Sequence, residues 1–299
     1  SSINKLTRSD ALDLLFVWGT TPAIAAAPVA ERNKIPMFAL SGEEAVAANK
    51  EYVIDFTGRI SDFSAATIEH ARAKGLKNTA VVKIETQYIE TLLRGMEEHK
   101  VAGEKFDVVA SLTPDEVPDF NTIATRLQQL IRAKHIDSLA LLLGAGQIHL
   151  FYQKLQQLKI SIPSYGSDYF GDPDEMRKAG QIAQGSFFAT IKTSDAFVKR
   201  YGEHFKNTTA VSYAANVYDF ARLTHQLFKA TSKKMSAREV LERFENAPRT
   251  DGATGIFYFV KEDSSKYQNP GKRFVFPIVI KEVQADGSSK EVAVWKENS

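Results

Sequence analysis

The chain contains no cysteine. Disulfide frameworks, thiolate zinc sites and cysteine nucleophiles are thereby excluded, while oxidising and reducing compartments both stay open. Long apolar runs are missing too. The longest, Ala23 to Ala30, is broken by Pro28 and falls far short of the ~18 residues that span a bilayer. The start, Ser1-Ser2-Ile3-Asn4-Lys5, has no apolar signal core, so an exported protein would be in a mature or trimmed form here. No charge of one sign dominates: 38 Lys and Arg against 36 Asp and Glu leave +2. No basic run tracks phosphates, which argues against nucleic acid as a partner.

What is present is ordinary soluble composition, with 43% hydrophobic residues, 17 Gly and 10 Pro in 299 residues. At ~100–200 residues per domain, two domains or one large bilobal domain are expected. Short apolar runs alternate with amphipathic stretches, the pattern of βαβ units around a parallel sheet. Leu14 to Trp18 reads as a strand ending at Gly19-Thr20-Thr21-Pro22, with Thr21 as cap and Pro22 in the first turn of an Ala-rich helix. Residues 35–40 and 52–56 read as the next strands, with Ser41-Gly42-Glu43-Glu44 as a polar loop.

From residue 62 the rhythm is regular: helices near 62–74, 87–98, from 119, and 148–158 alternate with strands at 79–84, 108–112, 139–143 and 162–166. Phe120, Ile123, Ala124, Leu127, Leu130 and Ile131 share one helical face. Helices 194–205 and 212–229 follow, the second with Ala214, Val217, Phe220, Ala221, Thr224, Leu227 and Phe228 inward, then a helix near 237–246. The end is β: 255–260, 273–283 and 290–295, with Ala285-Asp286-Gly287 as the turn of a terminal hairpin.

Catalytic patterns are scarce. His70, His99, His135, His149, His204 and His225 are never at helical metal-ligand spacing. There is no Gly-x-Ser-x-Gly elbow and no phosphate-binding Gly-rich loop, and Gly144-Ala145-Gly146 lacks the third small residue of a dinucleotide fingerprint. Asp168, Asp172, Asp174 and Glu175 form an acidic cluster without calcium-loop spacing; the last three read as a capped helix start. Asn207-Thr208-Thr209 matches a glycosylation sequon, a weak signal.

In an open parallel sheet, ligands bind at loops beyond the carboxyl ends of strands. Those loops are Gly19-Thr20-Thr21, Ser41-Gly42-Glu43, Thr86-Gln87-Tyr88, Gly144-Ala145-Gly146-Gln147 and Gly166-Ser167-Asp168-Tyr169. Hydroxyls and helix N-termini suit a carboxylate, and Asp168 suits an ammonium, so the set fits a small zwitterion; each Ser or Thr taken singly could equally be an N-cap.

Several segments together resemble the branched-chain amino-acid type solute-binding proteins of ABC importers. They are Phe16 to Thr21, Ala27 to Glu31, Lys34 to Met37, Ser41-Gly42, Gln87-Tyr88, Asp119 to Leu127 with Ile136-Asp137, Tyr165 to Asp168, Ala183 with Gly185, Ser212 to Ala215, and Asp251 to Gly255. The resemblance implies the type I periplasmic-binding-protein fold: α/β, two Rossmann-like lobes with parallel sheets, and three hinge crossovers. Lobe one would be 1–61 plus 191–253 and lobe two 62–190 plus 254–299. A further strand, helix and strand would precede the segment matching Ile3 to Asp10.

The resemblance also implies a ligand carboxylate against Gly19, Thr20, Thr21 and the Ser41-Gly42 loop, beside Trp18. It puts the ammonium near Asp168, with Tyr88 and the loop around Ala145 on the lid side. A carboxylate at Glu43 would repel that of the ligand, so either Glu43 points outward or the ligand is cationic or no amino acid. The implied protein is a non-enzymatic, periplasmic or extracytoplasmic monomer without cofactor. Its partners would be a small solute and an ABC permease. A sensory module of the same fold and a hydrolase using Asp168, Glu43 and Tyr88 are the alternatives.

Overall fold

Strand β1 (Leu15–Trp18) leads into α1 (Thr20–Arg32), β2 (Met37–Leu40), the four-residue α2 (Glu44–Ala47) and β3 (Val53–Asp55). Next come α3 (Ile60–Ala73), β4 (Asn78–Ile84), α4 (Gln87–Glu98), β5 (Lys105–Leu112), α5 (Phe120–Arg132), β6 (Ser138–Leu142), α6 (Ile148–Gln157) and β7 (Ser164–Gly166). A 3-10 turn (Asp168–Gly171), α7 (Pro173–Ala179), a second 3-10 turn (Gly180–Ala183) and β8 (Phe187–Ile191) follow. Then come α8 (Asp195–Phe205), α9 (Val211–Phe228), α10 (Ala237–Glu245), β9 (Thr250–Gly252), β10 (Gly255–Lys261), β11 (Lys272–Val275), β12 (Ile278–Val283) and β13 (Ser289–Trp295). The structure, a computed structural model, describes residues 12–114, 118–265 and 270–296. The segment around Ile3 to Asp10 lies outside them.

Two compact units are present. The first takes the chain up to Ile60 with Ile191–Arg200 and Val211–Pro277; the second takes Ser61–Thr190, Tyr201–Ala210 and the chain from Ile278. The first has a sheet of order β1-β2-β3-β11-β10-β9, parallel from β1 to β11 and antiparallel beyond. The second has the order β13-β12-β8-β7-β6-β4-β5, parallel from β8 to β5, with an antiparallel β12–β13 hairpin.

Alternation along the strands gives the first sheet two unlike faces. On one, Ala23, Ala26, Ala27 and Ala30 of α1 pack on Met37, Ala39 and Val53. Methyl-sized contacts let the helix lie close to the sheet. The other face is phenylalanine: Phe38 lies 4.2 Å from Phe244, Phe16 4.4 Å from Phe220, and Phe56 4.7 Å from Phe274, measured between ring centroids. Each ring removed from water contributes roughly 1.5–3 kcal/mol.

Three expectations need correction. The 273–283 run is two strands in different sheets, because Pro277 has no N–H for a ladder. Strands β10 and β11, expected in the second lobe, lie in the first unit's sheet, since β10 pairs with β9 and β11, and Arg273 of β11 pairs with Asp55 of β3. Helix α9 is turned from its apolar stripe: Val217 is exposed, while Ala215, Asn216, Asp219, Phe220 and Leu223 are buried. Asp219 accepts from the N–H groups of Ala253 and Thr254, both at 2.8 Å, and from the Thr254 hydroxyl at 2.6 Å. That polar clamp sets the rotation.

At the end of β3 a charged cluster covers the alanine-side face. Arg59 pairs with Glu44 at 3.4 Å and with Glu262, whose other bonds come from Arg273 Nε at 2.7 Å and Gly271 N–H at 2.9 Å. Asp55 beside them is 5% exposed, and its Oδ1 is buried without a hydrogen-bond partner. Burial raises its pKa well above the carboxylate range; Arg59 and Arg273 oppose this and Glu262 and Glu43 add to it.

The folded chain therefore keeps on Asp55 a proton that the unfolded chain releases near pH ~3.9. The associated stability is fully present below that pH and is lost as pH rises through the raised folded value. Asp55→Asn cannot titrate, so its melting temperature should gain on the native chain's as pH rises from about 4 to about 7; a pH-independent difference refutes this. Independently, Ala26→Leu should lower stability by ~1–3 kcal/mol through overpacking beneath α1, read from urea midpoints.

Candidate functional site

In the first unit β1, β2 and β3 are parallel, so their carboxyl ends and the following loops share one edge. Gly19 N–H donates to Leu40 C=O at 3.1 Å, and the Thr20 hydroxyl donates to Ser41 C=O at 3.3 Å. Gly42, at φ +65°, backs onto the next loop so closely that a Cβ would lie 2.5 Å from Gly58 O. These contacts bring Gly19, Thr20, Ser41 and Gly42 together.

The thirteen-residue α1 starts on Gly19 at φ 96°, with no side-chain cap, so Gly19 and not Thr21 is the N-cap. A Thr21 hydroxyl would normally satisfy the N-terminal amides. Instead Thr21 lies exposed in the first turn, and the helix begins with unfilled donors beside the hydroxyls of Thr20 and Ser41. Trp18 is 62% exposed, with its ring 5.9 Å from that of Tyr213.

Glu43 does not point outward. It is 4% exposed, and its Oε1 accepts from Ala45 N–H at 3.5 Å at the start of α2, a helix that the loop reading did not anticipate. Local N–H donors attract the carboxylate inward.

In the second unit, Tyr88 at the start of α4 and Asp168 in the turn after β7 meet across 80 residues: the Tyr88 hydroxyl donates to Asp168 Oδ1 at 2.7 Å. Tyr169 closes edge-on to Tyr88, with ring centroids 6.1 Å apart. Burial, and then the Asp168 charge, pushes the Tyr169 hydroxyl above its ordinary pKa. Ala145 is exposed at the tip of the β6–α6 loop, and none of the described contacts joins it to Tyr88 or Asp168.

The acidic cluster separates into different roles. Asp172 caps α7 through Asp174 N–H at 2.8 Å and Glu175 N–H at 3.3 Å, and Asp174 pairs with Arg177 at 2.6 Å. Glu175 lies in that helix start, as expected, and its buried side chain turns to the β6–α6 loop and the start of α6. It accepts from Gly146 N–H at 2.5 Å, His149 N–H at 3.0 Å and His149 Nδ1 at 3.0 Å. Sequence reasoning named Glu175 but not these contacts, because its partners lie 26 and 29 positions away. The one available signal was the absence of a capping side chain ahead of Ile148.

Among the described residues no group of His, Asp and Glu is arranged to hold a metal ion, and no helix is long and apolar enough to cross a membrane.

Residues 1–270 match the model of a family described as periplasmic binding protein. No curated protein matches the chain by sequence. Among solved structures, a leucine binding protein, LivK, from Thermotoga maritima superposes with a TM-score of 0.79 at 18% identity, covering 99% of this chain and 83% of that one. A solute binding protein of an ABC transporter from Rhodopseudomonas palustris, in complex with 3,4-dihydroxy benzoic acid, gives 0.77 at 21% identity over 98% and 81%. The branched-chain amino acid transporter substrate binding protein LivJ from Streptococcus pneumoniae, in complex with isoleucine, gives 0.75 at 15% over 97% and 82%. Paired α/β units, each with its strand-end loops gathered on one edge, and the match over nine-tenths of the sequence together establish that the chain belongs to the periplasmic binding protein family, non-enzymatic solute receptors, in its type I fold.

Proposed function

We propose that this protein is an extracytoplasmic, monomeric receptor that captures a small polar solute, an amino acid or a related compound, and delivers it to an ABC permease. The observation that carries the reading is a division of charge between the two loop clusters. One offers an unfilled helix N-terminus with the Thr20 and Ser41 hydroxyls, and the other a tyrosine-bound carboxylate. Donors at a helix start favour a carboxylate, and a partly buried Asp flanked by two aromatic rings favours an ammonium. Each environment by itself suits one kind of charged group on such a solute. Relatives crystallised with isoleucine and with an aromatic acid are consistent with a carboxylate as the shared handle.

In this reading Trp18, Thr21, Gly42 and Ala145 shape the loops, and Glu43 stays with α2. A thermal-shift screen of amino acids, amides, small amines and small carboxylates should give at least one compound that raises the melting temperature, since a ligand bound to the folded state stabilises it. Silence across the panel sinks the proposal. For a compound that binds, Asp168→Asn should weaken binding by ~2–4 kcal/mol through loss of a desolvated charge partner. Tyr88→Phe should weaken it by less, at most ~1.5–3 kcal/mol, the worth of one hydrogen bond to a charged group. Calorimetry checks both, and unchanged affinity in Asp168→Asn removes that residue from the site.

A further inference from the structure

We infer that Glu175 is the positioning residue of the β6–α6 loop: its carboxylate, sent from α7, fixes the backbone of Gly144 to Gln147 through Gly146 N–H and accepts from the His149 amide in the first turn of α6. The link to solute capture rests on the reading that this loop faces the solute.

The loop has little else to hold it. Ala145 and Gly146 are exposed, and Gly146 adopts φ 86° with nothing within 4 Å of where a Cβ would be. Gln147, at the N-cap of α6, gives no capping bond to the helix; its Oε1 accepts from Gly144 N–H at 3.1 Å. The first amides of α6 would then lack acceptors. Glu175, itself 5% exposed, supplies one for the α6 amide of His149 through Oε2, and its Oε1 holds Gly146 N–H in the loop ahead of the helix. His149 Nδ1 faces Oε1 as well, and since a carboxylate has no proton to give, that nitrogen carries the hydrogen.

A buried carboxylate bonded by two backbone amides and one ring N–H is satisfied without an Arg or Lys. Two consequences follow for the solute. The loop is held in one shape before anything binds, and the carboxylate already at the α6 start disfavours a second anion there.

Amide hydrogen exchange by NMR and the thermal-shift panel decide it. In the native chain Gly146 N–H, although in an exposed loop, should exchange at least about tenfold slower than an unstructured glycine; free exchange there overturns the clamp without any variant. Glu175→Gln presents an NH2 to one of two amide donors. It should speed exchange of Gly146 and His149 by about tenfold and shift the His149 Nδ1 resonance, while Phe151 and Tyr152 amides keep their protection. Acceleration spread evenly along α6 means general destabilisation and overturns the assignment.

His149→Ala removes the ring contact and leaves both amide bonds, so Gly146 should stay slow. Loss as complete as in Glu175→Gln makes the ring, and not the carboxylate, responsible. Any panel compound that stabilises the native chain should need about tenfold more concentration to match that shift in Glu175→Gln; equal shifts refute the positioning role. Silence of the whole panel in the native chain fails the receptor reading, and the exchange data still decide the clamp.

Discussion

A helix that follows a parallel strand starts with backbone N–H groups that no carbonyl within the helix can accept, and what fills that place decides the chemistry of every strand-end loop here. Thr86 fills it for α4 through Ile89 N–H, Asp119 for α5 through Asn121 and Thr122, Asp172 for α7, and Glu43 for α2. For α6 the acceptor comes from another helix. Only α1, among the helices whose N-caps are described, begins at a glycine in a strand-end loop lined by hydroxyls. A filled start repels an anion and an open one attracts it, so the polarity of each loop cluster follows from capping. A net charge of +2 over the whole chain could not have indicated it.

Close packing makes the open start possible. Alanines at every third or fourth position press α1 onto β2 and β3, and the amide of Gly19 thereby reaches the last carbonyl of β2. In the second unit small residues do similar work. At Gly166 a Cβ would lie 2.1 Å from the Phe170 ring, so the glycine permits the tight turn that presents Asp168 to Tyr88. Buried hydroxyls anchor the strand beneath it: Thr79 bonds Ser138 and Tyr165, and Tyr152 bonds Ser164 and Ser186, all at 2.7–2.8 Å. Desolvation raises the pKa of the Tyr152 hydroxyl to about 12, so it remains neutral within that network.

Local signals made most of the fold legible. Apolar runs found β1 to β7, and helical spacing found α3 to α6 and α8 to α10, because each element buries a face that its own residues announce. What escaped was set elsewhere in the chain. Strand β8, Phe187 to Ile191, is buried along its whole length between β7 and β12, and so short a run, with only Thr190 polar, carries no period to separate strand from helix. Helix α9 shows the reverse error: its apolar stripe was clear, yet the bonds of Asp219 to Ala253 and Thr254 turned a polar flank inward. Within the candidate site the loops were legible from their Gly and hydroxyl content. The inward turn of Glu43 and the reach of Glu175 were not, because a carboxylate's partner depends on which amides the tertiary fold leaves open.

The same carboxylates address the absence of cysteine. Asp137 accepts from Lys77 and Asn78, Glu31 from Glu51 and Tyr52, Glu175 from Gly146 and His149, and Asp219 from Ala253 and Thr254, joining segments 20 to 60 positions apart. Each is a side-chain carboxylate closing a loop onto paired backbone amides. A charge-assisted bond contributes ~1.5–3 kcal/mol and a disulfide ~2–4 kcal/mol, so a few such clamps constrain the chain on a similar scale. Unlike a disulfide they need no oxidant to form and resist any reductant. A receptor fastened this way keeps its loops in place on either side of a membrane, and the composition is silent about compartment for that physical reason.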